Sequence, residues 1–178
     1  TLFLYFVESR LGTPGLAGPF LLLFFLAAAA SAPGWSRLAA RHGAKPVLLA
    51  GMALAIVTFA FALTLGAGDT VAFAVICLAS GAALGADMVL LPAIFARHLS
   101  ARAGGEAMAF GLWNFAAKLA LALAAVVLLP LLQAGGFTSG AANGEGALWL
   151  LTLLYAGLPC ALKLAAVGLL AATPVPEG

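Results

Sequence analysis

Two lysines, Lys118 and Lys163, lie inside long apolar stretches of a 178-residue chain in which 8% of residues are charged and 65% are hydrophobic. An ammonium group at the centre of a membrane helix costs roughly 2.5–3.5 kcal/mol on insertion scales. A lysine kept at that cost usually lines a polar cavity, pairs with another group or contacts a ligand. The two lysines therefore predict a helical membrane protein with an internal polar pathway, and transport is the first function that they suggest.

Three residues near Lys118 are expected to share its surroundings. Asn114 precedes Lys118 by four positions and Gly111 precedes it by seven, so Gly111, Asn114 and Lys118 lie on one face of a helix. Lys118 lies about 20 Å along that helix at 1.5 Å per residue, and we predict a substrate-binding or coupling role for this face. Trp113 neighbours Asn114 and could stack on a sugar ring. The alternative is a structural lysine that pairs with a carboxylate or with carbonyl groups.

Three other charged residues have weaker signals. Asp87 is predicted in the cytoplasmic third of its helix, either as a gating carboxylate, in a helix–helix hydrogen bond, or paired with a loop arginine. Lys163 is a possible secondary site residue, although its stem could carry the ammonium to the membrane surface. Glu106 opens a helix, where a carboxylate suits the positive end of the helix dipole or could close a gate.

The apolar stretches predict one partial and five complete membrane spans, because about 20 mostly apolar residues cross a bilayer. The chain starts at Thr1, already within apolar sequence, so we expect the first helix to be cut. Gly- and Pro-containing segments separate the spans. The predicted spans cover residues 1–7, 16–32, 46–65, 70–95, 105–133 and 147–172.

The basic residues predict which side of the membrane each connector faces. Cytoplasmic connectors carry an excess of Lys and Arg. We therefore predict that loops 33–45 and 96–104 are cytoplasmic, because five basic residues fall there and Arg10 is the one on the opposite side. The five are Arg37, Arg41, Lys45, Arg97 and Arg102.

Other classes of function find little support in the chain. The net charge of +2 is too small to suggest nucleic acid. Cys77 and Cys160 have no metal-ligand neighbours, so no metal site is predicted. Zinc-protease, nucleophile-elbow and phosphate-loop patterns are missing from the sequence, and we predict that the chain is not an enzyme.

Three segments carry a resemblance to a known family. Residues 34–45 are similar to a motif that joins two helices in the cytoplasm, residues 85–93 to a segment of helix 10, and residues 110–119 to helix 11. Together they resemble the C-terminal half of a major facilitator superfamily transporter, and more narrowly the melibiose permease-like family of glycoside–pentoside–hexuronide:cation symporters. Lys118 matches a lysine that this family carries in its sugar and cation region.

The resemblance implies an all-α membrane protein that forms helices 7 to 12 of a twelve-helix fold, with helix 7 truncated. It also implies cation-coupled symport of a sugar or similar small polar solute across the inner or plasma membrane by alternating access. The coupling cation would be sodium or a proton, its ligands would lie in the N-terminal half, and no other cofactor is expected. In this picture Arg37, Arg41 and Lys45 brace the cytoplasmic gate.

One departure keeps alternatives open. The family places acidic residues after helix 10, whereas this chain has Ala96-Arg97-His98-Leu99-Ser100. The alternatives are transport of an amphipathic lipid-like solute, a membrane enzyme acting on lipid, and a scaffold that transports nothing. The enzyme would need converging nucleophile, acid or metal groups, which the sequence does not show.

Overall fold

The computed structural model describes residues 2–100, 106–141 and 143–173, and its regular elements in these ranges are helices. Helix α1 is short and continues into a π-helical turn, Phe6–Arg10. A 3-10 turn, Pro14–Leu16, then leads into the longer helices. The helices are α1 Leu2–Tyr5, α2 Ala17–His42, α3 Ala44–Ala62, α4 Thr70–Ser100, α5 Glu106–Ala134, α6 Glu145–Thr152 and α7 Leu158–Ala172.

Five helical stretches in the described residues are long and apolar enough to cross a membrane. Two of them coincide with α3 and α4, and a third with α5 from its second residue. The other two are composite: the 3-10 turn joins α2 in the first, and α6 continues through a π-helical turn into α7 in the last. This agrees with the predicted all-α membrane class.

Helix α2 differs from its prediction, because it does not stop at Pro33 but continues to His42. The Trp35 indole donates a hydrogen bond of 2.7 Å to the Ala82 carbonyl of α4, and the Ser31 hydroxyl donates to the same carbonyl at 3.2 Å. These bonds hold the helix on both sides of the proline. Residues 33–42 of the predicted loop are therefore helical, and the turn between α2 and α3 is Gly43, whose φ of 89° favours glycine.

Helix α4 is also longer than predicted, since it extends past residue 95 to Ser100. Residues 96–100 of the predicted loop 96–104 are thus its last turns, and residues 101–104 lie outside the described ranges. Apolar periodicity marks where a helix leaves lipid rather than where it unwinds, so a polar last turn is easily read as a loop.

Small residues bring α4 into close contact with α2 and α3. A Cβ added at Gly85 would lie 2.6 Å from the Ala28 carbonyl oxygen, and one at Gly51 would lie 2.6 Å from the Ala86 Cβ. The Phe24 carbonyl similarly occupies the place that a side chain at Gly81 would need. Because hydrophobic burial does not drive helices together in lipid, such close backbone approach is what holds membrane helices in contact.

Three apolar clusters divide the core. One surrounds Phe6 and Phe73 near the α3–α4 turn, and the second surrounds Leu48 and Leu90 near the α2–α3 turn. The third joins the end of α5 to α6 around Leu151. The part-buried charges of Asp87 and Lys163 lie in the middle of the bundle, between the first two clusters.

A cysteine introduced at Ala40, which is exposed on α2, tests the predicted orientation. A membrane-impermeant maleimide should label it in inside-out vesicles, because the excess of basic residues predicts that this end of α2 faces the cytoplasm. Labelling confined to right-side-out vesicles or intact cells would mean that the orientation is inverted.

The close approach at Gly85 also gives a prediction. Gly85→Ala should lower the free energy of unfolding by about 1–3 kcal/mol, because the added methyl group overlaps the Ala28 carbonyl. The matched control is Gly34→Ala on α2, where nothing lies within 4 Å of an added Cβ. Thermal unfolding in detergent should show a loss for the first variant alone; equal melting temperatures would contradict the packing described here.

Candidate functional site

In the described residues, charged side chains well inside the membrane-length helices lie in two places. One is the contact between α4 and α7, where Lys163 donates a hydrogen bond to Asp87 Oδ2 and forms an ion pair with it. The other is the exposed face of α5 that carries Asn114 and Lys118. The sequence predicted a cavity around Lys118, which stays a prediction; the structure shows a part-buried ion pair at a different place, between α4 and α7.

Asp87 is far from both ends of α4, and Lys163 lies five residues after Leu158, the first residue of α7. Asp87 lies 13 residues before Ser100 at the end of α4, which is about 20 Å at 1.5 Å per residue. It is therefore nearer the middle of its helix than predicted. The Lys163 side chain is 23% exposed and that of Asp87 is 16% exposed. Lys163 thus turns inward to a carboxylate instead of reaching for the membrane surface, which corrects that expectation, and Asp87 pairs with a helix lysine rather than a loop arginine.

A cavity of about 240 Å³ adjoins the ion pair. Phe24, Phe59 and Ser80 are among the residues that line it with Asp87 and Lys163. Its volume corresponds to about eight water molecules at ~30 Å³ each. Asp87 Oδ1 is buried and has no hydrogen-bond partner among the described residues, so this oxygen can accept a hydrogen bond from water or from a ligand hydroxyl.

A second, larger cavity of about 540 Å³ runs between α5 and the last membrane span. Its lining is almost entirely apolar and includes Phe3, Leu121 and Tyr155. Phe59 and Pro159 border both cavities. We call the first cavity, beside Asp87 and Lys163, the ion-pair cavity, and the second the apolar groove. The two are neighbours, with Phe59 and Pro159 between them.

The predicted Lys118 face is exposed and continuous with this groove. Gly111, Asn114 and Lys118 are all exposed on α5, and Leu121 and Ala125 follow Lys118 by three and seven positions, on the same face. Those two residues line the groove, whereas Lys118 lines neither of the two cavities. The ion pair that the described residues form does not involve Lys118, so its ammonium lies on an open surface of this helical bundle.

Trp113 lies apart from that face. The centroid of its indole ring lies 4.9 Å from that of the Phe95 ring on α4. The Phe110 ring contacts the Phe95 ring edge-on, with their centroids 5.2 Å apart. The indole therefore packs between helices and helps to attach α5 to α4. This contact competes with the predicted stacking of Trp113 on a sugar ring.

The residues predicted to gate the cytoplasmic side have different environments. Arg37 and Arg41 are exposed on the last turns of α2. Lys45 instead donates hydrogen bonds to the carbonyls of Ala171 at 3.1 Å and Thr173 at 2.8 Å. A cation there satisfies the free carbonyls at the end of α7 and suits the negative end of its dipole.

Two predicted features remain without a described geometry. Glu106 begins α5, but its side chain lies outside the described residues. Within the described ranges, His, Cys, Asp and Glu side chains form no group of three that could hold a metal ion.

The Asp87–Lys163 pair is the feature that sequence reasoning missed. Each residue was considered alone, although two opposite charges in two apolar helices usually pair. The partners are 76 positions apart, and their register depends on how α4 and α7 pack. The sequence signal for the pairing is that Asp87 and Lys163 are each a solitary charge within an apolar helix.

Comparison with known proteins gives one family. The family model described as MFS/sugar transport protein matches residues 1–177. No curated protein and no solved structure matches the chain significantly. The match covers nearly the whole chain and agrees with the broader of the two resemblances; the narrower, melibiose permease-like family stays a prediction.

A double-mutant cycle tests the ion pair. Asp87→Asn or Lys163→Met alone should lower the free energy of unfolding by up to about 3 kcal/mol, because each leaves one charge without its partner in a mostly buried site. The double variant should recover much of that loss, with a coupling of at least about 1 kcal/mol. Unfolding in detergent measures all four proteins; strictly additive losses would mean that the two side chains do not interact.

Proposed function

The chain belongs to the MFS/sugar transport protein family, and from this premise we propose that it forms the C-terminal half of a cation-coupled symporter for a sugar or similar small polar solute. Membership makes it a multi-pass integral membrane protein of a family that transports solutes and is not enzymatic. The cation coupling, the alternating access and the second half of the transporter are parts of the proposal.

The observation that carries the proposal is the open position of Lys118. Its side chain is exposed at the middle of a membrane-length helix, and a cation left on a lipid-facing surface would cost several kcal/mol. We therefore place this face of α5 against a water-filled pathway between the two halves of the transporter. In a protein that serves only as a scaffold, we would expect Lys118 to form an ion pair within the bundle, as Lys163 does.

The chemistry of this face suits a hydroxylated solute. Lys118 offers three N–H donors, and the Asn114 amide one turn away offers both donors and acceptors. Lys118 would hydrogen-bond the solute or repel the coupling cation until solute arrives. Carboxylates in the N-terminal half would hold that cation, so the coupling ligands are not assigned to this chain.

The packing suits alternating access. Helices α2, α3 and α4 are joined by close backbone contacts at Gly51, Gly81 and Gly85, so they would move as one body. Helix α5 has few buried residues. It is attached mainly through aromatic contacts with Phe95 and through the third apolar cluster, around Leu151. Rocking of the two halves about a central site is the usual mechanism in such inverted-repeat folds.

One observation favours a second candidate, transport of an amphipathic lipid-like solute. The groove of about 540 Å³ has an almost wholly apolar lining and lies on the same helix face as Lys118. A hydrocarbon chain in the groove would place a polar headgroup near the ammonium. Parallel uptake of a radiolabelled sugar and of a radiolabelled lysolipid into the same proteoliposomes separates the candidates, since a sugar carrier accumulates the first and a lipid carrier the second.

Lys118→Ala in the full-length protein should reduce gradient-driven uptake at least about 100-fold, because it removes the central polar contact of the pathway. Lys118→Arg should retain binding but couple poorly, since a guanidinium has a different geometry. Leu119→Ala is the matched control, at an exposed position one residue away and off that face. Uptake is measured in proteoliposomes with and without a cation gradient; normal concentrative uptake by Lys118→Ala would remove this residue from the mechanism.

A further inference from the structure

The last membrane span consists of two unequally packed parts. Its first part contributes the buried residues Ala147, Leu151 and Thr152 in α6, followed by Ala156 in the π-helical turn. Helix α7, which follows directly, contributes no buried residue. The first part is therefore held by the core, whereas α7 must be held by other interactions.

A break in the helical ladder separates the two parts. The Leu158 amide donates to the Leu153 carbonyl five residues back, as in a π-helix, and Pro159 has no amide hydrogen to donate. Helices bend at π-helical turns and at prolines. The segment from Leu153 to Pro159 is therefore a place where the direction of α7 can change with few hydrogen bonds lost.

Beyond this bend, α7 packs mainly against α3, and polar contacts tie it at two further points. Lys163 pairs with Asp87 of α4 at its middle, and Lys45 of α3 binds the Ala171 and Thr173 carbonyls at its end. The ion-pair cavity lies between α4 and α7. Apolar packing adds the half-buried Ala166, Val167 and Leu170 against the Leu48 cluster.

We propose that Leu158–Ala172 is a hinged helix, packed on α3 and latched to α4 by the Asp87–Lys163 ion pair, and that it swings about the bend at residues 153–159 when the pair opens. Lipid solvates an apolar helix as well as another helix does, so polar contacts decide whether such a helix stays docked. The latch goes beyond the proposed function, and only its opening during transport depends on that function.

The environment of the latch supplies a means of opening it. Asp87 Oδ1 already lacks a partner, so water or solute hydroxyls entering the cavity bind the carboxylate and compete with the ammonium. From α2 and α3, the cavity is lined by Phe24, Ala55, Ile56 and Phe59, and from α4 by Ser80 and Leu84 beside Asp87. No second charged side chain from these helices faces the pair, so breaking it leaves Lys163 without a substitute partner there.

Cys160 reports the position of α7, because it lines this cavity and its thiol lies 3.5 Å from the Ile56 carbonyl of α3. The experiment measures the rate at which N-ethylmaleimide modifies Cys160 in the full-length protein, in a background where all other cysteines are replaced. Asp87→Asn and Lys163→Met should each raise the rate at least about fivefold without solute. The exchanged variant, Asp87→Lys with Lys163→Asp, should return it to within about twofold of the wild-type rate.

The two single variants also separate movement from electrostatics. An effect on thiol reactivity alone would change the rate in opposite directions, because one variant leaves a positive charge beside Cys160 and the other removes it. Opposite changes, or rates within twofold of wild type in both, would overturn the latch. Leu164→Ala, at an exposed position on α7, is the control that should not change the rate.

If the pair variants do not fold, Lys45→Met opens the other tether without leaving a buried charge. It should raise the Cys160 rate at least about twofold, and an unchanged rate would overturn the proposal that polar tethers hold α7. These rates are measured without solute. Unchanged Cys160 rates in a protein with normal uptake therefore refute this inference alone, whereas the expected rate changes in a protein without uptake refute the proposed function alone.

Discussion

The close approach of α4 to α2 and α3 is the constraint on which the other features depend. It is possible because Gly51, Gly81 and Gly85 leave no room for a side chain at the contacts. In lipid, where burial of apolar surface gives no advantage to helix association, this close contact and its van der Waals packing hold α2, α3 and α4 together. Both the Asp87 carboxylate and the docking site for α5 at Phe95 are carried on α4, so their positions follow from that packing.

The polar side chains then determine what attaches to these three helices and how firmly. Trp35 and Ser31 bind the Ala82 carbonyl and keep α2 continuous past its proline. Asp87 of α4 binds α7 through Lys163, and Lys45 of α3 binds its last carbonyls. Lys118, unlike Lys163, forms no ion pair in the described bundle. The two lysines are therefore distinguished by whether the described bundle provides an ion-pair partner.

Much of the fold could be predicted from the sequence, because membrane spans depend on composition and length alone. The five membrane-length spans and the family follow from hydropathy or short patterns. The helical continuation past Pro33 could not be predicted, since it depends on bonds from Ser31 and Trp35 to a carbonyl about 50 positions away. The pairing of Asp87 with Lys163 was missed for the same reason: helix register and rotation are set by tertiary packing.

The most direct test of the account is the solvent exposure of position 118. In a full-length protein whose other cysteines are replaced, Lys118→Cys should react readily with a charged, membrane-impermeant methanethiosulfonate reagent, and the transported solute should slow that reaction. The corresponding cysteine at Leu119 should react more slowly and without solute protection. A cysteine at 118 that reacts only with lipid-soluble reagents, regardless of solute, would show that this face of α5 meets the bilayer and would contradict the transport pathway.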